Sequence, residues 1–362
     1  MVERDDYYMR KAIATAERGR GRTNPNPMVG ALVVNDEGVI VGRGRHEVAG
    51  GPHAEVNALR DAGERARGAT LYCTLEPCSH TGRTGPCAPA VASAGIRRVV
   101  IALEDPNPLV NGRGLAYLRE RGIETLIGVG REEAERQNEA FLTVMRRQRP
   151  LVIVKVALSL DGCIAAAPGV RTPLTGAVAN RAIQRQRAEV DAIAVGSGTI
   201  LADDPMLTAR RVYRARPLVR VVFDRRLRMP TTARLLSTLD SGPVIIVGSE
   251  RVCAEKPEAV EQLSKAGARV ITPAGDLGST IAALREFEVT SVVLEGGATL
   301  HAAALQAGIV DVVNAYITPH VLGASGQKWV APGSFSLGQL QDRRATWLGD
   351  DVLVEGHVYR SG

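Results

Sequence analysis

Short apolar runs of strand length alternate with segments of helical periodicity along almost the whole chain. This alternation restricts the fold class to α/β, with helices layered over a sheet. In the first half we predict a helix over residues 5–18, followed by a hairpin from the runs MVGALVV and VIVGRG. Further strands are predicted at ATLYCTL, RRVVIAL and ETLIGVG, and helices at HAEVNALRDAG, CAPAVASAG, GLAYLRERG and REEAERQNEAFLTVMRR.

The polar segment RRQRP at residues 146–150 interrupts this pattern. It ends in a helix-stopping proline, and the strand LVIVKVALS follows at once. Because 362 residues with 45% hydrophobic content can form more than one core, we predict two domains, residues 1–148 and 149–362. In the second domain strands are predicted at VDAIAVG, LVRVVFD, PVIIVG, ARVIT, TSVVLEG and DVVNAYIT, and helices near 177–189, 257–266, 278–287 and 298–307.

Composition limits the compartment and the partners. No stretch approaches the ~20 apolar residues of a membrane helix, and the opening MVERDDYYMRKA lacks a signal-peptide core, so we expect a cytoplasmic protein. Five cysteines favour metal or catalytic use over a disulfide framework. The net charge of +6 is spread along the chain, which suits small anionic substrates and does not favour nucleic acid. The Arg-rich RRVYRAR at 210–216 is predicted to be mostly a solvated loop.

Three residues carry the donor types of a catalytic zinc site. His53 opens a predicted helix, Cys78 follows a strand, and Cys87 opens the next helix. Catalytic zinc takes about three His or thiolate ligands and keeps one position open. Glu55 lies two residues after His53, so the two side chains do not face the same way on a helix, and Glu55 is free to move protons. This combination predicts a deaminase that hydrolyses an exocyclic amine from a nucleobase-like ring.

The spacer between the two cysteines narrows the class of deaminase. Nucleic-acid and free-nucleoside deaminases usually have a short P-C-x-x-C, whereas eight residues, SHTGRTGP, separate the cysteines here. This polar spacer contains His80 and Arg83. The other thiols, Cys73, Cys163 and Cys253, are interpreted as structural.

Motifs in both halves resemble one family, the bifunctional deaminase/reductase of riboflavin biosynthesis. They are TNPNP at 23–27, GPHAE at 51–55, TLEPCSH at 74–80, DPNP at 105–108, SLDG at 159–162, LADDP at 201–205 and EGG at 295–297. The resemblance implies a cytidine-deaminase-like α/β/α domain followed by a dihydrofolate-reductase-like α/β domain. It also implies zinc-dependent deamination of 2,5-diamino-6-(5-phosphoribosylamino)pyrimidin-4-one and then reduction of the ribosyl group to ribityl with NADPH. Relatives of this kind are dimeric, so a homodimer is expected.

The resemblance also implies roles for individual residues. In the first domain Asn26, His46, Asp105 and Asn107 would hold the substrate, with His80 and Arg83 on its ribose phosphate. In the second, Lys155 would be catalytic. Substrate contacts there would come from Arg187, Leu207, Arg210 and Glu295. Cofactor contacts would come from Ala157, Thr199, Asp203, Gly297, Ala298, Thr299, Leu300, His301, Ala302 and Ala303.

Without the resemblance, the residues of the second half indicate a function less specifically than those of the first half. A G-x-G-x-x-G after its first strand is absent, which excludes a Rossmann fingerprint. Glycine turns at 196–199 and 295–300 could bind an anion through backbone N–H groups, or could be tight connections. Lys155 lies in the apolar run LVIVKVALS, where it could be functional or could be salt-bridged or snorkelling.

Three departures from the family pattern leave alternatives open. Arg171-Thr172-Pro173-Leu174-Thr175 stands where Ser-x-Trp-Ile-Thr is common, Arg225 stands where a small hydroxyl residue is usual, and Gly85 replaces a proline. The first two allow an altered cofactor preference or a second domain that is only a scaffold. A nucleic-acid editing deaminase is another alternative, but it needs basic surface with interleaved aromatics, and only 4% of the residues are aromatic.

Overall fold

The computed structural model describes residues 2–79, 85–107, 110–330 and 340–358. The chain divides into two compact units, Met1–Gln148 and Arg149–Gly362, and the division falls within the RRQRP segment. In the described parts of both units, no helix combines the length and the apolar character needed to cross a membrane.

The first unit is a sheet with helices packed against it. Its strands are β1 (Gly30–Val34), β2 (Ile40–Arg45), β3 (Thr70–Leu75), β4 (Arg98–Leu103) and β5 (Glu124–Ile127). Its helices are α1 (Val2–Ala16), α2 (Ala54–Ala62), α3 (Cys87–Ser93), α4 (Arg113–Arg119), α5 (Arg131–Gln137) and α6 (Glu139–Arg147). The strand order is β2-β1-β3-β4-β5. The β1–β2 hairpin and the β1–β3 pair are antiparallel, and β3, β4 and β5 are parallel.

Two glycines of β2 allow α2 to lie directly on the sheet. A Cβ at Gly42 would lie 2.3 Å from the carbonyl oxygen of Ala58, and one at Gly44 would lie 2.1 Å from that of Ala54. No larger residue fits at such distances, so these two glycines set the short packing distance between α2 and β2. The close packing holds the N-terminal turn of α2, which carries Glu55, against the sheet.

The single helix predicted over REEAERQNEAFLTVMRR is wrong, because α5 and α6 are separate. Asn138 lies between them with φ −105° and ψ 20°. Its side chain accepts a hydrogen bond from the backbone N–H of Met28 at 2.8 Å and donates one to the carbonyl of Met28 at 2.9 Å. This pairing with a distant segment breaks the helix, and periodicity within the helix does not reveal it.

The second unit is built on a larger sheet. Its strands are β6 (Leu151–Ser159), β7 (Cys163–Ala165), β8 (Ala192–Gly196), β9 (Val219–Phe223), β10 (Val244–Val247), β11 (Ala268–Ile271), β12 (Ser291–Gly296), β13 (Val312–Thr318), β14 (Gln327–Lys328), β15 (Gln341–Leu348) and β16 (Asp351–His357). Its helices are α7 (Ala177–Glu189), α8 (Ser197–Asp203), α9 (Glu250–Glu255), α10 (Pro257–Lys265), α11 (Leu277–Ala283) and α12 (Ala298–Gln306). Nine strands follow the order β11-β10-β9-β8-β12-β6-β13-β16-β15, and β14 pairs with β7 separately.

The strands β11 to β13 in that order are parallel, and only the C-terminal hairpin β15–β16 runs antiparallel to its neighbours. Sequence periodicity does not predict this hairpin. Residues 341–347 of β15 are all exposed, so the strand lacks the apolar alternation by which a half-buried strand is recognised. The glycine turn at 196–199 is likewise more than a turn, since α8 begins at Ser197.

The RRVYRAR segment is only partly the solvated loop that was predicted. The guanidinium of Arg214 donates hydrogen bonds to the carbonyls of Arg187, Ala188 and Val190, at 2.7, 3.0 and 2.6 Å. These are carbonyls at the C-terminal end of α7, which have no partners within the helix. Arg216 forms a salt bridge of 2.8 Å with Asp191, which is buried. Two of the arginines therefore stabilise the fold.

A buried ion pair joins the first strand of the second unit to its neighbour. The guanidinium of Arg149 donates to both carboxylate oxygens of Asp311, at 2.6 and 3.0 Å, and the N–H of Val152 donates to the same carboxylate at 2.9 Å. We expect Asp311→Ala to destabilise this unit by about 3 kcal/mol, because it leaves a buried guanidinium without its partner. Thermal unfolding of the full chain, followed by circular dichroism, measures the effect. An unchanged melting temperature would show that the pair is dispensable, and Asp240→Ala, at an exposed carboxylate, is the control.

Candidate active sites of the two units

The predicted metal ligands of the first unit meet in the structure. His53 is the N-cap of α2, Cys78 follows β3, and Cys87 is the first residue of α3. Nδ1 of His53 lies 3.2 Å from Sγ of Cys87 and 3.5 Å from Sγ of Cys78. All three ligand atoms lie within 4.8 Å of one another. The fold therefore gathers residues that are up to 34 positions apart in the chain.

The spacing of these atoms fits a zinc ion. With Zn–N and Zn–S bonds of the usual lengths, tetrahedral coordination places nitrogen and sulfur about 3.6 Å apart. The two observed nitrogen–sulfur distances, 3.2 and 3.5 Å, are close to that value. Within the described residues this is the one group of three or more His, Cys, Asp or Glu side chains with such a geometry. Three ligands leave the fourth position open for water.

Electrostatics at the triad favour a thiolate. A hydrogen bond from the Cys87 thiol, together with one from His53, lowers the pKa of Cys78. The pKa of Cys87 is raised in turn, because it supplies the shared proton. The hydrogen bond with Cys78 also raises the pKa of His53. A thiolate beside a cationic group is the form of cysteine that binds metal.

Glu55 lies beside the triad and is only 3% exposed. Burial raises the pKa of its carboxyl group to about 7, although the charge of His53 opposes this shift. A carboxyl group whose pKa lies near neutrality can both take up and release a proton. Glu55 is thus placed where it could move protons, while His53 is placed where it could bind a metal.

His46 and Asn26 form a pair next to the triad. Nε2 of His46 lies 3.0 Å from the amide nitrogen of Asn26, and Nδ1 lies 3.1 Å from the carbonyl oxygen of Pro52. The ring also contacts His53 edge-on, with centroids 5.6 Å apart. Burial lowers the pKa of His46, so the ring is neutral and accepts a hydrogen bond from the Asn26 amide. Both ring nitrogens of His46 are thus engaged within the protein, and His46 orients Asn26.

Two further predicted residues of this site, Asp105 and Asn107, are on the loop after β4. Asp105 is buried, and its Oδ1 accepts a hydrogen bond from the N–H of Asn107 at 2.9 Å. His80 and Arg83 lie outside the described residues. Sequence reasoning gave no role to Glu76, which is 3% exposed and hydrogen-bonded to this loop. A role for Glu76 could have been predicted from its position between a buried strand and Pro77-Cys78.

The second unit contains a cavity of about 1730 Å³. It follows the carboxyl ends of the parallel strands β8, β9, β10 and β12, which is where ligands bind in open α/β sheets. Most of the residues predicted for the reductase site line it. They are Lys155, Ala157, Thr199, Asp203, Arg210, Glu295, Gly297, Ala298, Thr299, Leu300, His301 and Ala303.

Three predicted residues are not part of the cavity lining. Leu207 is 4% exposed and packs in the core, with φ 51°. Ala302 does not line the cavity, and Arg187 reaches the site only through Glu295. His301 lines the wall, but its ring bonds to the Leu294 carbonyl and to the indole N–H of Trp329, both at 3.0 Å. Its imidazole therefore faces the protein, whereas the helix it belongs to borders the cavity.

Lys155, Glu295 and Arg187 form a charged cluster at the cavity wall. The guanidinium of Arg187 donates to both carboxylate oxygens of Glu295, at 2.7 and 2.6 Å. Burial lowers the pKa of Lys155, and the negative charge of Glu295 opposes that shift. The ammonium lies 5.7 Å from the centroid of the Tyr316 ring. The negative charge of Glu295 and the aromatic face of Tyr316 both favour the charged form of Lys155 in an otherwise apolar strand.

The cavity also fits an anionic dinucleotide. Nine basic side chains and five acidic ones line it. Gly297, with φ 87°, turns the chain from β12 into α12, and a Cβ at Gly296 would lie 2.6 Å from Oγ1 of Thr199. The two glycine turns that sequence reasoning singled out therefore touch each other. Sequence reasoning missed several basic lining residues: Arg181 and Arg185, which are one turn apart on α7, Arg211, Arg226 and Arg228.

Comparisons with known proteins agree with these two sites. The family model described as the cytidine and deoxycytidylate deaminase zinc-binding region matches residues 2–103, and the RibD C-terminal domain matches residues 150–354. A zinc-dependent deaminase joined to a reductase is the class of protein that the fold and the sites define. The predicted fold, cytidine-deaminase-like and then dihydrofolate-reductase-like, is confirmed. The chain belongs to the RibD family of riboflavin-biosynthesis enzymes.

The similarity extends over nearly the whole chain. The riboflavin biosynthesis protein RibD of Escherichia coli is 42% identical over 370 residues, covering 97% of this chain and 98% of the relative. That of Aquifex aeolicus is 39% identical over 356 residues, with the same coverage. The solved structure of Acinetobacter baumannii RibD superposes with a TM-score of 0.88 at 36% identity, covering 99% of this chain and 100% of that one. The protein is thus a bifunctional riboflavin-biosynthesis enzyme with zinc and NADPH as cofactors.

Proposed function

We propose that residues 1–148 remove the amine of a diaminohydroxyphosphoribosylaminopyrimidine and that residues 149–362 reduce the resulting 5-amino-6-(5-phosphoribosylamino)uracil. A Thermotoga maritima protein described as a deaminase and reductase of these compounds is 32% identical, with a TM-score of 0.84 and 99% coverage of both chains. The observation that carries the proposal is the pairing of a His/Cys/Cys triad and a buried Glu55 in one unit with a basic dinucleotide-sized cavity in the other.

In the first reaction the ring carbon gains the oxygen of water and loses its amine as ammonia. Glu55 takes a proton from the water and delivers it to the departing nitrogen, a role for which its raised pKa suits it. His53, Cys78 and Cys87 would hold a zinc ion, which would supply the Lewis acidity needed for water to ionise near neutral pH. Asn26, held by His46, and the loop residues Asp105 and Asn107 bind the pyrimidine.

In the second reaction the bond between C1′ and the ring oxygen of the ribosyl group breaks. Bound at the cavity, NADPH would supply a hydride for C1′, and the ring oxygen gains a proton as it becomes a hydroxyl group. Lys155 donates that proton, because burial weakens its hold on it while Glu295 keeps the group charged beforehand. The ion pair with Arg187 holds Glu295 in place.

The basic residues of the cavity bind two separate phosphate-bearing ligands. Arg210 and Arg211 line the cavity together with Arg181 and Arg185 of α7. These four side chains bind the phosphate of the substrate. The cofactor pyrophosphate binds where Gly297 opens α12. Thr199 and Asp203 of α8 complete the cofactor wall.

Arg225 is expected to select NADPH over NADH. It follows β9, two strands away from β12 and so about 10 Å from the pyrophosphate turn, a separation that suits the 2′-phosphate of the same cofactor. Arg225→Ala should raise the KM for NADPH about tenfold, since it removes a charge-assisted hydrogen bond, and should leave that for NADH unchanged. Steady-state reductase kinetics with both cofactors test this. Equal changes for both would contradict the assignment, and Arg251→Ala, on exposed α9, is the control.

We also propose that the enzyme is a homodimer through β15. This edge strand of the nine-stranded sheet is exposed from residue 341 to 347, and Trp347 is 76% exposed. An edge strand that carries an exposed aromatic residue suits a second copy of the sheet. Trp347→Glu should therefore convert a dimer to a monomer in analytical ultracentrifugation. A dimer that survives this change would refute the location, and Tyr213→Glu, at a loop residue that is 75% exposed, is the control.

We propose the cytoplasm as the compartment, because none of the five cysteines, all of which are among the described residues, forms a disulfide, as is usual in a reducing environment. The experiment that tests the proposed function measures ammonia release and NADPH oxidation by the full chain on the diamino substrate. Both should occur, with NADPH loss dependent on prior deamination. Ammonia release without NADPH loss would refute the proposed second reaction.

A further inference from the structure

Glu76 is a buried carboxylate with an unusual set of partners. It lies between the end of β3 and Pro77, two residues before the metal ligand Cys78, and is 3% exposed. Four backbone N–H groups donate to it. Oε2 accepts from Asp105 at 3.2 Å and from Gly112 at 3.0 Å, and Oε1 accepts from Gly114 at 3.0 Å and from Leu115 at 3.3 Å.

These four donors belong to the two ends of one loop. Asp105 begins the loop after β4, and the other three residues form the N-terminal turn of α4. That turn has no side-chain cap of its own, since its N-cap is Gly112 in the left-handed conformation at φ 80°. Glu76 therefore caps α4 from outside the helix and at the same time holds the opposite end of the loop. Charge-assisted hydrogen bonds of this kind are among the strong ones.

A close backbone contact fixes the same loop from a second direction. A Cβ at Gly114 would lie 1.9 Å from the carbonyl oxygen of Pro77, so α4 rests directly on the turn that leads to Cys78. Glu76 thus joins the metal-binding turn to the segment that contains Asp105 and Asn107.

We propose that Glu76 is a positioning residue for the deaminase, which sets Asp105 and Asn107 at the correct distance from the zinc ligands so that they bind the pyrimidine. It does not touch the substrate and moves no proton. The inference rests on the proposed contact of Asn107 with the substrate. It predicts an effect on substrate binding, because a displaced loop weakens a contact made equally in the ground state and the transition state.

The test compares Glu76→Gln, Asn107→Ala and the double variant as zinc-loaded full-length proteins. Glutamine can accept hydrogen bonds on only one of its two side-chain ends, so two N–H groups lose their acceptor. Glu76→Gln should keep its zinc and its reductase rate, and should raise the KM for the diamino substrate about tenfold with kcat changed less than about threefold. The double variant should show no further rise in KM, because both changes remove one interaction. Glu104→Gln, at an exposed carboxylate next to the loop, should resemble the wild type.

The outcomes separate this inference from the proposed function. If Asn107→Ala raises KM and Glu76→Gln does not, or if the two effects add, the inference is overturned while the substrate contact stands. If Asn107→Ala leaves KM unchanged, the contact itself is wrong and the inference fails with it. Should Glu76→Gln lose zinc, Glu76→Asp, which keeps the charge, must retain zinc and show the KM rise. Loss of zinc in both variants would overturn the inference, since Glu76 would then serve the fold alone.

Discussion

Glu55→Gln should reduce ammonia release by a factor on the order of 10³ to 10⁴, the range expected when a general acid–base group is lost. Glutamine has nearly the same shape, so the packing of α2 on β2 should survive. It cannot carry a proton from the water to the leaving amine. Zinc should remain bound, because Glu55 is not one of the three residues that form the metal site.

The second activity of the same chain is the internal control for this variant. The rate of NADPH oxidation on the already deaminated substrate should equal that of the wild type. Glu64→Gln, an exposed carboxylate after α2, should leave ammonia release unchanged. A Glu55→Gln protein that keeps its zinc and deaminates at more than about a tenth of the wild-type rate would contradict the role of Glu55.

Lys155→Met should have the second large effect, a fall in reductase kcat on the order of 10³. Methionine fills the volume of the lysine stem in the apolar strand but cannot protonate the ring oxygen of the ribosyl group. The variant also leaves the Arg187–Glu295 pair intact, with its two hydrogen bonds of 2.7 and 2.6 Å, so the cavity should keep its shape. NADPH affinity should change little, which fluorescence titration of the cofactor can measure.

Single-turnover reduction followed by NADPH absorbance isolates the chemical step for this variant. Lys265→Met, on an exposed face of α10, is the matched control and should be unaffected. If Lys155→Met lowered cofactor affinity but not the single-turnover rate, Lys155 would be a binding residue. Ammonia release by the first unit should be normal in both variants.

The parts of the site that could be predicted are those that local sequence patterns reveal. The three donor residues could be predicted because each begins or follows a regular element, and the spacing of His53 and Glu55 predicts separate tasks for them. Arg181 and Arg185 of α7 line the cavity, but they were not predicted from the sequence. The same spacing of charged residues is found on any amphipathic helix whose polar face is exposed to solvent. The role of Glu76 was missed because its partners are backbone groups 29 to 39 residues away.

The sequence by itself determined the alternation of strands and helices, the division near RRQRP, the donor set for zinc and the family resemblance. Each of these depends on residue type and local spacing, which are independent of long-range contacts. Only the tertiary structure decided that Asn138 breaks a helix by pairing with Met28, that Leu207 packs in the core, and that Glu76 holds the loop of Asp105. The contacts of Asn138 and Glu76 depend on backbone groups that the fold brings together, and every residue except proline carries the same backbone N–H and C=O whatever its side chain. The burial of Leu207 depends on core side chains that are distant in the sequence.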